Sequence, residues 1–186
     1  MDLRPLRQLL DRYAAAWPRE SAECARFRSF VDGHDDCLLR SCAPGHVTSS
    51  AWILSPDGGA ALLTHHKKLD KWLQLGGHVD GELEVERACM REAQEESGMA
   101  RFEFVAWAVD GLTPLDLDVH TIPARPGEPT HLHWDVRFLL LAGAGQELSM
   151  SDESNQLAWA PVGELSTYTT EESVLRLQRK AVQVMT

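Results

Sequence analysis

Three glutamates in the middle of the chain have the spacing that places side chains together on one helix. Glu92, Glu95 and Glu96 stand at positions i, i+3 and i+4 of the segment RACMREAQEESG, and in a helix they project from one face. Like charges at this spacing repel one another, so the stripe favours a bound cation. Carboxylate oxygens are the ligands that Mg²⁺ and Mn²⁺ prefer. Taken alone, the stripe is more typical of a solvated acidic face screened by Arg87 and Arg91.

The residues around this glutamate stripe resemble the Nudix box, a signature of fixed offsets between glycine, arginine and glutamate. Gly77 opens the signature, and Arg91, the three glutamates, Gly98 and the closing aliphatic Met99 stand at the required offsets. The flanking segments KWLQLGGH and GEPTHLHWDVRFLLLA also resemble Nudix hydrolases of bacterial type. The resemblance covers roughly residues 45–165.

Two positions depart from the signature. Leu83 stands where the box has its first glutamate, and the small Ala93 replaces a bulky aliphatic residue. In the family the missing glutamate supports the box arginine. We therefore expect Glu82 or Glu84 to hold Arg91 in its place.

The resemblance implies an α/β fold, a Nudix-type αβα sandwich with a mixed sheet. It implies hydrolysis of a pyrophosphate bond in a nucleoside diphosphate linked to another moiety, with Mg²⁺ or Mn²⁺ as cofactor and water as nucleophile. The three glutamates and the carbonyl of Gly77 would then be metal ligands. Arg91 would orient the glutamates through forked hydrogen bonds.

The resemblance leaves the general base open, because Nudix enzymes take it either from the box or from a later loop. Glu95 or Glu96 is the first candidate. Glu153, which precedes the predicted strand QLAWA, is the second, since a loop before a strand can reach over a site. Glu153 also fits a solvated turn beside Asp152 and Ser154.

Histidines form a second candidate group. His131, His133 and Asp135 alternate with apolar residues, so on a strand they share one face. Two imidazoles and a carboxylate can coordinate a metal, with His120 as a further ligand from a neighbouring strand. The alternative is a polar face that binds substrate or forms hydrogen bonds to the proline-rich loop 123–130, a flap over the substrate.

Four other residues are candidates for substrate binding. Lys67 and Lys68 precede the box and can attract phosphates to an otherwise acidic protein. Trp72 can stack on a base, and His78 adjoins the expected phosphates. Each also fits a purely structural role, in a solvated loop or in the core.

Composition restricts the class of protein and its partners. The 186 residues are 44% hydrophobic and 25% charged, which predicts a globular domain with a sizeable core. The net charge of −10 disfavours duplex nucleic acid and anionic membranes as partners, and favours a small-molecule ligand met by local cations or a metal. A homodimer is compatible with the sequence.

Cysteine spacing and the first residues indicate the compartment. The four cysteines show neither a CxxC pair nor zinc-finger spacing, so we expect them to be reduced. The segment MDLRPLRQLL lacks the pattern of a signal peptide. These features predict a cytoplasmic protein.

The pattern of apolar residues and turn signals predicts the elements that position these groups. We expect a helical N-terminal extension over residues 1–44, with helices at 3–17 and 21–31, and a Nudix hydrolase domain over 45–186. In the domain we expect a hairpin from Val47, a strand at 72–75, a glycine loop, a helix at 83–97, strands at 101–109, 115–122, 131–141 and 156–160, and a last helix from Thr170.

Two other function classes share the predicted fold, because a fold does not fix a function. One is a module that binds a nucleotide without hydrolysing it, which the intact glutamate stripe disfavours. The other is a metal-dependent isomerase acting on a diphosphate, which product analysis distinguishes from a hydrolase.

Overall fold

The computed structural model describes residues 1–151 and 154–186, and these contain four α-helices and one sheet of eight strands. The helices are α1 (Arg4–Ala16), α2 (Ser21–Gly33), α3 (Val85–Ser97) and α4 (Glu172–Met185). The strands are β1 (Gly45–Leu54), β2 (Ala60–His66), β3 (Lys71–Leu73), β4 (Leu75–His78), β5 (Phe102–Phe104), β6 (Asp116–Ile122), β7 (His131–Ala142) and β8 (Ser154–Pro161). None of the described helices is long and apolar enough to cross a membrane.

The sheet is mixed, as expected. Its order is β3-β2-β1-β7-β5, while β4 pairs with β1, β6 with β7 and β8 with β2. β1 and β7 run parallel over ten residue pairs, from Gly45 opposite Leu132 to Leu54 opposite Leu141. The other pairings are antiparallel. The long parallel ladder is therefore the centre of the fold.

Helices cover both faces of this sheet. α3 packs on β1 and β4, and the Cys89 thiol donates a hydrogen bond to the carbonyl of Ser50 at 3.3 Å. α4 lies against the other face, where Arg176 and Lys180 contact Asp116. The result is the predicted αβα sandwich.

The face of the sheet beneath α4 carries a buried ionic network. Arg137, 2% exposed, forms ion pairs with Asp135 at 2.8 Å, Asp118 at 3.0 Å and Asp116 at 3.4 Å. Arg176 contacts Asp116 and Asp118 as well. Burial alone would lower the pKa of Arg137, but the three carboxylates outweigh it and raise the pKa. The buried charges are tolerated because each has a partner of opposite sign.

The N-terminal helices join the same core. The Lys180 ammonium lies 2.7 Å from the Tyr13 hydroxyl, 2.7 Å from Glu20 and 2.9 Å from Asp116, and it lies over the ring of Trp17. Apolar residues of α1 and α2 belong to the same buried cluster as the sheet. The extension is thus packed on the domain, and the boundary between residues 44 and 45 stays a prediction.

Most predicted elements are confirmed, with shifts at their ends. The segment 83–97 is helical from Val85, and it ends at Gly98, whose φ of 70° is left-handed. The expected strand 101–109 is wrong beyond Phe104. The expected glycine loop is also wrong in part, because Gly76, Gly77 and His78 belong to β4 and pair with β1.

The ionic network generates a prediction about stability. Replacing Arg137 with Met leaves the buried Asp135 without a cation and weakens the network around Asp116 and Asp118, which keep Arg176. We therefore expect the free energy of unfolding to fall by about 3–5 kcal/mol. Urea denaturation measures this change. The matched control is Arg179→Met, which removes an exposed pair with Glu172 and is expected to cost less than about 1 kcal/mol. Equal effects of the two substitutions would contradict the prediction.

Candidate active site

The glutamate stripe lies on the side of α3 that faces β4, where Glu92 approaches Gly77 and Glu96 accepts a hydrogen bond from Gly76. The buried side consists of small residues that let the helix approach β1 and β4, namely Val85, Ala88, Cys89, Ala93 and Ser97. The side chain of Glu92 is 15% exposed and that of Glu95 is 62% exposed. Glu92 is thus held against the protein, whereas Glu95 faces solvent.

Arg91 connects the stripe to β4. Its guanidinium donates hydrogen bonds to Glu92 at 2.6 Å, to Glu95 at 3.3 Å and to the carbonyl of His78 at 2.8 Å. Partial burial would lower the pKa of Arg91, but the two carboxylates raise it. Arg91 thus bridges two carboxylates of the stripe and one backbone carbonyl of β4.

The expectation that Glu82 or Glu84 holds Arg91 is wrong. Glu84 forms an ion pair with Arg87, one turn along the helix, and Glu82 accepts a hydrogen bond from the backbone N–H of Glu84 at 3.2 Å. Both carboxylates are used locally at the start of α3. The His78 carbonyl supplies the support instead.

Two glycines allow β4 to lie directly against the stripe. The backbone N–H of Gly76 donates a hydrogen bond to Glu96 at 2.9 Å. A Cβ at Gly77 would lie 2.6 Å from the carboxylate carbon of Glu92, which is closer than atoms normally approach. The structure therefore brings Gly77 and all three glutamates together.

Three histidines meet at the ends of β1 and β7, and we call them the histidine cluster: His46, His131 and His133. One ring nitrogen from each lies within 4.8 Å of the other two. Sequence reasoning missed His46, which the parallel register places beside His133. The ring of His78 lies next to the cluster, 5.0 Å from His46 and 5.2 Å from His133 between centroids.

Asp135 and His120, expected as further ligands, do not join the cluster. Asp135 accepts hydrogen bonds from Thr48 at 3.0 Å, Ser50 at 2.7 Å and Arg137 at 2.8 Å. His120 bonds to Asp118 at 2.9 Å, and its ring lies next to the cluster, 5.4 Å from that of His133 between centroids. Asp135 is thus satisfied inside the ionic network.

Burial keeps His46, His133 and the adjacent His78 neutral. Desolvation, with the neighbouring His78 and His131, lowers the pKa of His46 to about 4. Desolvation and His46 lower the pKa of His133 to about 2, and the pKa of His78 is lowered by burial and by Arg40. These rings are uncharged near neutral pH, and the neutral imidazole is the form that binds metals.

The other predicted substrate residues lie apart from these groups. Lys67 and Lys68 are exposed in the turn between β2 and β3. Trp72 is half-buried and packs edge-on against His65 and Tyr168, at 5.0 and 5.6 Å. The structure records no hydrogen bond, ion pair or ring contact from these three to the stripe or the cluster within its described residues. Glu153 lies outside those residues.

The chain also matches the model of a known protein family. The model of the NUDIX domain matches residues 44–180. The chain belongs to the Nudix family. No curated protein sequence matches it, and the bacterial type stays a prediction.

Solved structures resemble this Nudix protein over most of its length. A NUDIX-family hydrolase from Clostridium perfringens has 26% identity and a TM-score of 0.61, with 76% of this chain and 98% of that chain covered. An Ap4A hydrolase from C. elegans has 16% identity and a TM-score of 0.58, over 75% and 96%. A dihydroneopterin triphosphate pyrophosphohydrolase from E. coli has 15% identity and a TM-score of 0.55, over 74% and 95%. The last two similarities concern the fold.

The two glycines of β4 give different expectations for stability. A Cβ at Gly76 would lie 2.5 Å from the backbone Cα of Ser50, so Gly76→Ala must displace a strand and is expected to cost about 1–3 kcal/mol. Gly77→Ala meets only the flexible end of Glu92, so we expect a smaller loss. Urea denaturation compares the two, with Gly33→Ala as a control because its Cβ would meet nothing within 4 Å. A larger loss for Gly77→Ala than for Gly76→Ala contradicts this expectation.

Proposed function

We propose that this protein is a divalent-metal-dependent Nudix hydrolase that cleaves a pyrophosphate bond in a nucleoside diphosphate linked to another moiety. The arrangement of Arg91 carries the proposal. Its guanidinium ties Glu92 and Glu95 to the His78 carbonyl, while the Gly76 N–H holds Glu96. Three carboxylates are thereby gathered at one edge of β4, where mutual repulsion would otherwise separate them.

The residues of this site fit a hard divalent cation. Their donors are carboxylate oxygens, which Mg²⁺ and Mn²⁺ prefer. The absence of a side chain at Gly77 creates the space in which Glu92 lies against the backbone. The three glutamates and the carbonyl of Gly77 would hold the ion. When bound, such an ion neutralises charge on a diphosphate and makes water a better nucleophile.

The protein's own residues then position the ligands and move a proton. Arg91 fixes the carboxylates in advance, so that they need not reorganise when substrate binds. Glu95, the most exposed residue of the stripe, or its neighbour Glu96 is the proposed acceptor of the proton from the attacking water. Glu153 remains the alternative acceptor.

The substrate class follows from charge and from the relatives. With a net charge of −10, the protein attracts a phosphate ligand only through local cations, and Lys67 and Lys68 are proposed for that role. Trp72, His78, His131 and His133 are proposed to contact the rest of the substrate. The names of two similar structures, an Ap4A hydrolase and a dihydroneopterin triphosphate pyrophosphohydrolase, support a phosphoanhydride substrate. The cytoplasmic location and a homodimer remain predictions.

Replacing the glutamates tests the proposed function. We expect Glu95→Gln and Glu96→Gln each to lower hydrolysis by at least about 100-fold, because they remove charge from the metal site without removing packing. The measurement is phosphate-containing product from a panel of nucleoside diphosphate derivatives with Mg²⁺ or Mn²⁺. Glu103→Gln, at an exposed position of β5, is the matched control and should retain wild-type rates.

Two outcomes would contradict the proposal. One is wild-type hydrolysis by both glutamine variants with unchanged circular dichroism. The other is tight nucleotide binding, or a rearranged ligand, with no cleavage by the wild-type protein across the panel.

A further substitution identifies the general base. If the base belongs to the stripe, Glu153→Gln should keep the rate within about fivefold and preserve the acidic limb of the pH–rate profile. Loss of that limb together with a fall of about 100-fold would assign the base to Glu153 instead.

A further inference from the structure

We propose that the histidine cluster binds a transition metal ion of the Zn²⁺ class, at a site separate from the glutamate stripe. His46, His131 and His133 would be its protein ligands. This proposal does not depend on the proposed hydrolysis, because it concerns residues outside the glutamate stripe and a different kind of ion. If it holds, His131 and His133 are metal ligands and do not contact the substrate directly.

The first observation is that buried nitrogens in the cluster lack partners. His46 is 2% exposed, and neither of its ring nitrogens has a hydrogen-bond partner among the described residues. The same is true of Nε2 of His131. Burying a polar nitrogen without a partner costs free energy, and such groups are uncommon in native structures. A metal ion would satisfy one such nitrogen of His46 and the Nε2 of His131.

The second observation is the orientation of the His131 ring. Its Nδ1 lies 2.9 Å from the carbonyl of Pro129, and a carbonyl can only accept a hydrogen bond, so Nδ1 carries the proton. In the neutral ring the lone pair is then on Nε2. This is the arrangement in which metal-bound histidines are usually held, with the second nitrogen bonded to a carbonyl or carboxylate.

The ring nitrogens of the cluster lie only slightly farther apart than the ligands of a tetrahedral zinc ion. Zinc–nitrogen bonds of about 2.0–2.1 Å at tetrahedral angles place the nitrogens about 3.4 Å apart. In the cluster they lie within 4.8 Å, so the rings need to approach by about 1 Å or less each. The carboxylate of Glu128, 3.7 Å from Nε2 of His131, offers an oxygen for the fourth position.

The chemistry of the donors selects the ion. Imidazole suits Zn²⁺, Cu²⁺ and Ni²⁺, whereas Mg²⁺ prefers oxygen. Three histidines with a fourth position for another ligand form a set found at zinc sites. The cluster and the stripe should therefore prefer different metals.

The register of β4 separates the two sites. Gly77 pairs with Ser49 and faces Glu92, whereas His78 pairs with Thr48. Successive residues of a strand point to opposite faces, so His78 turns towards the cluster on the α4 side of the sheet. The backbone of β4 thus lies between the stripe and the cluster.

Metal titration of the full-length protein tests the proposal. After removal of metals with a chelator, Zn²⁺ is titrated by calorimetry and Co²⁺ by visible absorption, which reports tetrahedral coordination. We expect one equivalent to bind to the wild type. His46→Gln and His133→Gln should each weaken binding by at least about 10-fold. His34→Gln, at the end of α2 and outside the cluster, and a Glu95→Gln, Glu96→Gln double variant should bind like the wild type.

The buried position of His46 calls for a measurement on the unaltered protein too. On addition of Zn²⁺, the side-chain ¹H–¹⁵N signals of His46, His131 and His133 should shift together, while those of His34 stay in place. The proposal is overturned by the absence of stoichiometric Zn²⁺ binding, by unchanged affinity in folded His46 and His133 variants, or by shifts confined to other histidines. Loss of binding in the glutamate double variant would assign the ion to the stripe and would overturn it as well.

Discussion

β1 and β7 pair in parallel over ten residues, and the side chains at both candidate sites take their positions from this ladder. The register places His46 beside His133 and Thr48 beside Asp135, and β4 joins the free side of β1 at Thr48–Ala51. The start of the ladder requires glycine, because a Cβ at Gly45 would lie 2.3 Å from the carbonyl oxygen of Leu132. If β1 slipped by one residue in its pairing with β7, its polar side chains would move to the opposite face of the sheet.

The parts of the site that were predictable from sequence depend on local spacing. Helix α3, its final glycine and the alignment of three glutamates all follow from residues within one segment, where helical geometry fixes the relative positions. His131 and His133 were predictable for the same reason, since they alternate on one strand. In each case the geometry needed no knowledge of the remaining chain.

The parts that were missed depend on partners far away in sequence or on backbone groups that every residue has. His46 joins the cluster through pairing between strands far apart in sequence, which no local pattern reveals. The third partner of Arg91 is a backbone carbonyl, and every residue has one, so residue type carries no signal. Asp135 has the chemistry of a ligand, but the hydroxyls of Thr48 and Ser50 satisfy it inside the ionic network.

The parallel ladder also determines how late during synthesis the fold can form. Thr48 and Asp135, which are paired across it, are 87 residues apart, and closing a loop of that length carries an entropic cost that contacts within one helix do not. Contacts of such long separation slow folding. As the ribosome releases the chain from its N-terminus, β1 emerges well before β7, so the edge of β1 that pairs with β7 waits for its partner. The histidine cluster therefore comes into existence only after most of the polypeptide has been made.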